Sequence, residues 1–145
     1  MARQPAPTRD AFADFVPIQT RWPDNDEYGH MNNAAYFALF DTAISLWQLE
    51  NGIEIRGPEP VRFVVVENGC TYFREVGFPD RLEAGLRIPK IGTSSYRIEV
   101  ALFREGEEQA AALGFFINVL TDMGARPLPI SDALREKLHR LAREE

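Results

Sequence analysis

The chain has 145 residues, of which 45% are hydrophobic and 26% are charged, so it is expected to form one soluble globular domain with a buried core. Its net charge of -6 argues against a nucleic-acid surface, because such surfaces need clustered Lys and Arg side chains. No apolar run approaches the roughly 20 residues that cross a bilayer, and no membrane association is expected.

The first elements along the chain are a lead-in and a strand. Residues 1–12 carry prolines among polar neighbours, which predicts a disordered lead-in, with the single domain covering residues 13–145. Apolar and polar side chains alternate over residues 15–22, with Trp22 on the apolar side. This alternation predicts a half-buried strand that Pro23 ends.

The loop after this strand holds most of the groups suited to acid–base chemistry. Asp24, Asp26, Glu27 and His30 fall within seven residues, directly before a predicted helix. Proton-transfer groups in a loop aimed at a helix start are typical of an active site. From the residues alone, Asp26 is either a catalytic carboxylate or a turn residue, and His30 is either a base or a holder of loop backbone. Gly29 supplies a backbone conformation or a close approach that a side chain would block.

A long apolar run after the loop predicts the central helix. Asn32 or Asn33 is suited to cap its start, and Asn51-Gly52 is suited to end it. Large apolar side chains cover most of the circumference of residues 34–49. A helix of this kind has to be enclosed by other structure, so we expect it to form the core.

The rest of the chain has the two-residue period of strands until near its end. The predicted strands cover residues 61–76, with Gly69 as a candidate bulge, then 82–88, 96–103 and 109–121. The last of them is apolar on both faces, which is typical of a strand inside a sheet. A short amphipathic helix capped by Ser131-Asp132 follows, with Leu134, Leu138 and Leu141 on its inner side.

This order of elements predicts an α+β fold: a five-stranded antiparallel sheet wrapped around one long buried helix, plus a short C-terminal helix. Such a sheet leaves its edges unpaired, which favours a homodimer or a dimer of dimers. The single cysteine, Cys70, excludes an internal disulfide and fits a reducing cytoplasm. Two histidines and one cysteine offer no zinc spacing, so no metal is expected.

The acidic loop also carries a recognisable motif. Residues 24–36 read DNDEYGHMNNAAY between a strand and a buried helix. This resembles the 4-hydroxybenzoyl-CoA thioesterase-like group of hot-dog proteins, in which the strand ends in D-x-D and many members continue x-x-G-H-V-N-N-x-x-Y. Residues 64–80 and the turn at 92–95 also fit, so that the resemblance runs from about residue 15 to residue 141.

The resemblance implies a hot-dog fold and hydrolysis of an acyl-CoA to a free acid and coenzyme A. Asp26, the second Asp of D-x-D, would act as nucleophile or as general base on water. Amides at the helix start, near Asn33, would bind the thioester oxygen, as helix starts bind anions. The site would lie at a dimer interface, completed by residues 67–71 of a second copy. The residues expected around the substrate are Gly29, His30, Asn33, Tyr36 and Glu67.

Other interpretations stay open beside this one. Tyr36 is also a plain core aromatic, and Glu67 is also a plain solvated strand charge. The alternatives for function are an acyl-carrier-protein thioesterase, a hot-dog dehydratase or hydratase that uses His30, and a non-catalytic acyl-CoA-binding protein. Coenzyme A is expected as part of the substrate, with no separate cofactor, and the residues leave the acyl group undetermined.

Overall fold

The segments with alternating or helical apolar patterns form five strands and two α-helices. A computed structural model describes residues 4–144. The strands form one antiparallel sheet in the order β1-β3-β4-β5-β2. The predicted α+β architecture is thereby confirmed. The elements are β1 (Asp14–Gln19), α1 (Asn33–Glu50), β2 (Arg62–Tyr72), β3 (Arg81–Ile91), β4 (Ser95–Arg104), β5 (Ala112–Thr121) and α2 (Asp132–Leu138).

Helix α1 begins and ends where its capping residues predict. The Asn32 side-chain oxygen accepts a hydrogen bond from the Ala35 amide at 3.1 Å, and Gly52 after the helix has a φ of +73°. The face with Phe40 and Trp47 is buried against the sheet. Ala34, Ala38, Thr42 and Leu46 form an exposed stripe on the opposite side. The enclosure expected for this helix is therefore incomplete in a single chain.

The inner face of the sheet supplies the other half of the core. The apolar positions that the alternation predicts in β3 and β4 are buried, and β5 lies inside the sheet between β4 and β2. These side chains are Leu82, Ala84, Leu86 and Ile88 in β3, and Tyr96, Ile98, Val100 and Leu102 in β4. They pack with the buried face of α1 in one continuous cluster.

The outer face of the sheet is covered by part of the segment that the sequence predicts to be disordered. The Arg9 guanidinium contacts Glu83 at 2.9 Å and donates to the Glu107 carbonyl at 2.7 Å. Phe12 is buried and meets the Phe103 ring edge-on at 5.7 Å. The expectation of disorder is therefore corrected over residues 8–12, since Ala101 and Phe103 of β4 form an apolar cluster with Phe12 on this face. Residues 1–3 and 145 lie outside the described range.

Strand β1 is shorter than predicted and leaves Trp22 outside the core. The strand ends at Gln19, and Thr20 turns inward to donate its hydroxyl to the Asp80 carbonyl at 2.5 Å. A short 3-10 turn follows over Trp22–Asp24, with Pro23 near its start. Trp22 is 72% exposed. Among the described aromatic rings it contacts only that of Phe78, which is also exposed, at 6.2 Å between ring centres.

Strand β2 lies at one edge of the sheet, where it pairs only with β5 among the described strands. Its bulge falls at Val66, since Val65 and Glu67 pair with consecutive residues of β5. The expectation of a bulge at Gly69 is wrong. Gly69 keeps its ladder pairing with Phe115, whose ring lies 2.6 Å from the place that a Cβ would take.

The chain ends in a helix that closes the core. The Ser131 hydroxyl accepts a hydrogen bond from the Leu134 amide at 3.2 Å, which confirms the predicted cap. Leu138 and Leu141 are buried, although Leu141 belongs to a 3-10 turn after α2. Over residues 4–144, no helix has both the length and the apolar character needed to cross a membrane.

Candidate active site

The acidic loop is anchored on one side by Asp24. The Arg21 guanidinium grips the Asp24 carboxylate at 2.9 and 2.7 Å, and this hydrogen bond holds the pKa of Asp24 below its ordinary value. The Asp24 carbonyl also accepts from the Asn32 amide at 2.8 Å and from its side chain at 3.0 Å. Asp24 is therefore a structural residue that ties the strand end to the helix cap.

On its other side the loop rests on residues 76–78. Met31 donates its amide to the Val76 carbonyl at 2.9 Å. The Asn25 side chain accepts from the Phe78 amide at 3.0 Å and donates to the Phe78 carbonyl at 3.3 Å. Gly77 allows this close approach, because a Cβ there would lie 2.8 Å from the Asn25 side-chain oxygen. The sequence analysis did not identify this support.

Asp26 lies in a tight turn, and the two oxygens of its carboxylate have different surroundings. Its Oδ1 accepts from the amides of Tyr28 at 2.8 Å and His30 at 3.2 Å. Gly29 closes the turn with a φ of +82°, and a Cβ there would meet no atom within 4 Å, so its role is conformational. Oδ2 has no hydrogen-bond partner among residues 4–144. The turn therefore fixes the carboxylate and leaves one oxygen available.

Asp26 lines a cavity of about 380 Å³ at the start of α1. Of the residues expected around the substrate, His30, Asn33 and Tyr36 lie there too. Gly29 belongs to the loop but does not line the cavity, and Glu67 is exposed on β2 outside it. The remaining lining residues are Met31, Tyr72, Phe73, Arg74 and Glu75.

Two of the residues that the sequence analysis missed hold the expected ones in place. The Tyr72 hydroxyl donates a short hydrogen bond to the Asn33 side-chain oxygen, and the Tyr72 ring meets Tyr36 edge-on at 4.9 Å. Burial raises the pKa of Tyr72 to about 12, so its phenol is a proton donor at neutral pH. The His30 Nε2 lies 3.1 Å from a carboxylate oxygen of Glu75. His30 is thereby paired with a carboxylate other than that of Asp26.

The start of α1 offers hydrogen-bond donors beside this carboxylate. The Ala35 amide is used by the Asn32 cap, whereas the amides of Asn33 and Ala34 have no partner in the described structure. Free amides at a helix start favour a developing negative charge. In the part of the chain that the structure describes, no group of three His, Cys, Asp or Glu side chains is arranged to hold a metal ion.

An antiparallel sheet wrapped around one long helix is the architecture of the hot-dog class of proteins. In this chain the loop that bears Asp26 leads directly into that helix. The sequence profile of the Thioesterase-like superfamily matches residues 20–138. The chain therefore belongs to the Thioesterase-like superfamily.

Solved structures support this assignment. The PA5185 protein of Pseudomonas aeruginosa strain PAO1 is 45% identical, with 96% of this chain and 98% of that chain covered and a TM-score of 0.90. A thioesterase of Thermus thermophilus, complexed with coenzyme A and Zn, is 30% identical over 90% of this chain and 95% of its own, with a TM-score of 0.72. The PA2801 protein of Pseudomonas aeruginosa is 28% identical, with 86% of this chain and 97% of that chain covered and a TM-score of 0.79. No curated protein matches the chain.

Proposed function

We propose that this protein hydrolyses an acyl-CoA thioester to a free acid and coenzyme A, which is part of the substrate rather than a separate cofactor. The observation that carries the proposal is the shared cavity, which is lined both by Asp26 and by Asn33 at the start of α1. The superfamily and the Thermus thermophilus relative, which is complexed with coenzyme A, support a thioester substrate. We expect the enzyme to work in the cytoplasm.

The chemistry needs few groups, because a thiolate is a good leaving group. In the base route, Asp26 takes a proton from water while the water oxygen bonds to the thioester carbonyl carbon. The amides of Asn33 and Ala34 stabilise the oxyanion, and the C–S bond then breaks as the thiolate gains a proton. In the nucleophile route, Asp26 displaces the thiolate to form an anhydride that water cleaves. Both routes consume one water and use the same oxygen of Asp26.

The test is hydrolysis of a panel of acyl-CoAs by Asp26→Asn, with Glu27→Gln as the matched control. Glu27 is the next residue and is exposed, yet it does not line the cavity. We expect Asp26→Asn to lose about 100-fold or more in kcat, in the range of acid–base contributions, and Glu27→Gln to stay close to wild type. Near-wild-type turnover by Asp26→Asn would remove Asp26 from the mechanism.

The same panel separates the alternative functions. Acyl groups offered on acyl-carrier protein and on coenzyme A distinguish the two kinds of thioesterase. If His30→Ala abolishes activity while Asp26→Asn spares it, a dehydratase or hydratase is favoured. If calorimetry shows tight binding of acyl-CoA and no acyl-CoA of any chain length is hydrolysed, a non-catalytic binding protein is favoured.

We further propose that two copies pair along β2, so that Glu67 of each lies at the interface. Val65 and Val66 are exposed on this edge strand, and the exposed apolar stripe of α1 is left without a covering element in the described chain. Val66→Lys should give a monomer by light scattering with reduced hydrolysis. The control is Gln19→Lys on the opposite edge strand, which should remain a dimer. A wild-type monomer at micromolar concentration would refute the pairing.

A further inference from the structure

A second cavity, of about 520 Å³, lies between the later half of α1 and the start of β2. Ile44, Phe63 and Phe116 give it apolar walls. The ring of Phe116 also packs against Phe37 of α1, at 6.2 Å between ring centres. No described residue lines both this cavity and the Asp26 cavity, so the second cavity is a separate compartment, and its apolar walls suit a hydrocarbon.

Two buried amides lie in this apolar compartment. Gln48 and Asn118 both line it, and each is only 5% exposed. Both donate to the hydroxyl of the fully buried Tyr96, at 3.3 and 3.2 Å. Neither amide oxygen has a hydrogen-bond partner among residues 4–144. Both oxygens remain accessible to solvent, because the Thr121 hydroxyl is the only side-chain polar atom in these residues that is both fully buried and without a partner. Two amides held by Tyr96 thus line the cavity, each with an oxygen that has no partner among the described residues.

An apolar cavity that keeps two uncharged acceptors unpaired is matched to a ligand with a hydroxyl group. A hydroxyl can donate to an amide oxygen, whereas a plain hydrocarbon would leave both amides without a partner. The two charged residues that line the cavity, Asp41 and Arg62, have opposite signs, and the two amides add no charge, so the cavity has no net charge that would favour an anion. The chemistry of the compartment therefore favours a neutral, hydroxylated hydrocarbon.

The direction of the strand connects this compartment with the proposed reaction. Along β2, the Tyr72 end contacts the start of α1, and the Phe63 end lines the second cavity. Antiparallel pairing of two β2 strands about a two-fold axis reverses one copy and keeps both α1 helices on the same side of the sheet. The second cavity of one copy is then brought to the Asp26 end of the other.

We infer that the second cavity of one copy holds the acyl group of the thioester bound at Asp26 of the other, and that Gln48 and Asn118 select acyl groups bearing a hydroxyl. This inference rests on the proposed function and names its substrate class. Gln48 and Asn118 are specificity-determining residues here, since they meet the acyl group away from the reacting carbonyl.

The first experiment compares kcat/KM for hydroxyacyl-CoAs and for deoxy analogues of equal length, with the hydroxyl moved along the chain. Wild type should prefer one hydroxylated member by about 10- to 100-fold, as sites built to bond a hydroxyl do. Gln48→Met keeps the side-chain length and should reduce that ratio toward one; a purely structural role would lower both substrates alike. Hydrolysis with equal rates for each pair overturns the inference alone, whereas no hydrolysis of any acyl-CoA overturns the proposed function.

The second experiment mixes subunits. Gln48→Met chains are refolded with a large excess of Asp26→Asn chains, so that nearly every active Asp26 faces a wild-type second cavity across the interface. If the cavity acts across the interface, the mixed protein regains the wild-type preference ratio. A ratio equal to that of Gln48→Met alone would overturn the cross-chain arrangement. The ratio is taken after the residual activity of Asp26→Asn chains alone has been subtracted, because their homodimers also carry wild-type second cavities.

Discussion

Gly77→Ala should displace the acidic loop without replacing any residue that lines the Asp26 cavity. A Cβ at this position would lie 2.8 Å from the Asn25 side-chain oxygen, 3.1 Å from the Met31 amide and 3.2 Å from the Gly29 carbonyl. Two of these three atoms are backbone of the loop, so they move only if the loop moves. The substitution therefore pushes on the segment that presents Asp26.

The size of the effect follows from these contacts. Overpacking costs about 1–3 kcal/mol, and weakening the two Asn25–Phe78 hydrogen bonds adds about 0.5–1.5 kcal/mol for each bond that is lost. We expect the free energy of unfolding to fall by about 2 kcal/mol. Because misplacing a reacting group by about 1 Å can cost 100-fold, a shift of a few tenths of an ångström should lower kcat/KM by about tenfold.

The assays are urea unfolding followed by tryptophan fluorescence and release of free thiol from an acyl-CoA. Gly92→Ala is the matched control, since its Cβ would meet the Ser95 hydroxyl at 3.3 Å, and it should stay within about 0.5 kcal/mol of wild type. Asn25→Ala removes the same hydrogen bonds without the steric push and should be milder. Wild-type stability in Gly77→Ala would refute the packing argument, whatever the activity.

Three further predictions concern packing and titration. Gly114→Ala should lower the free energy of unfolding in urea by about 1–3 kcal/mol, because its Cβ would lie 2.6 Å from the fully buried Phe40 ring. Gly69→Ala should lower it by less, since the Phe115 ring that it faces is partly exposed. Equal losses in the two variants would contradict this reasoning. Asp24→Asn should be less stable than wild type at pH 7, with the difference vanishing as the pH falls through and below 3.8, because the arginine partner lowers the pKa of Asp24 in the folded state. Cys70, whose pKa burial raises to about 11, should resist iodoacetamide at pH 8 until urea is added, and rapid alkylation of folded protein would disprove its protection.

Features that arise from neighbours along the chain can be predicted from the amino-acid sequence. The periods of 3.6 and 2 residues located α1 and the strands, because side-chain direction in a helix or strand is fixed locally. The Asn32 and Ser131 caps could be predicted for the same reason, since each bonds an amide three residues away. The loop with Asp26 was predictable from its motif and from its place before a helix start.

The distant residues that contact this loop become known from the three-dimensional packing. Tyr72 reaches Asn33 across 39 positions of sequence, and Asn25 reaches Phe78 across 53. The amides of Gln48 and Asn118 converge on Tyr96 because β4, β5 and α1 pack together, which no local pattern specifies. Contacts of this kind depend on strand order and register, and these are set by the burial of the whole sheet.

The same reason explains the predictions that needed correction. Trp22 looked like a core residue by alternation, but β1 ends before it, where Thr20 is bonded to a carbonyl from the turn before β3. The composition of residues 8–12 predicts disorder, but Ala101 and Phe103 on the outer face of β4 give Phe12 apolar partners. Local pattern therefore determined each element and its chemistry, whereas packing across the sheet determined where those elements end and what supports the site.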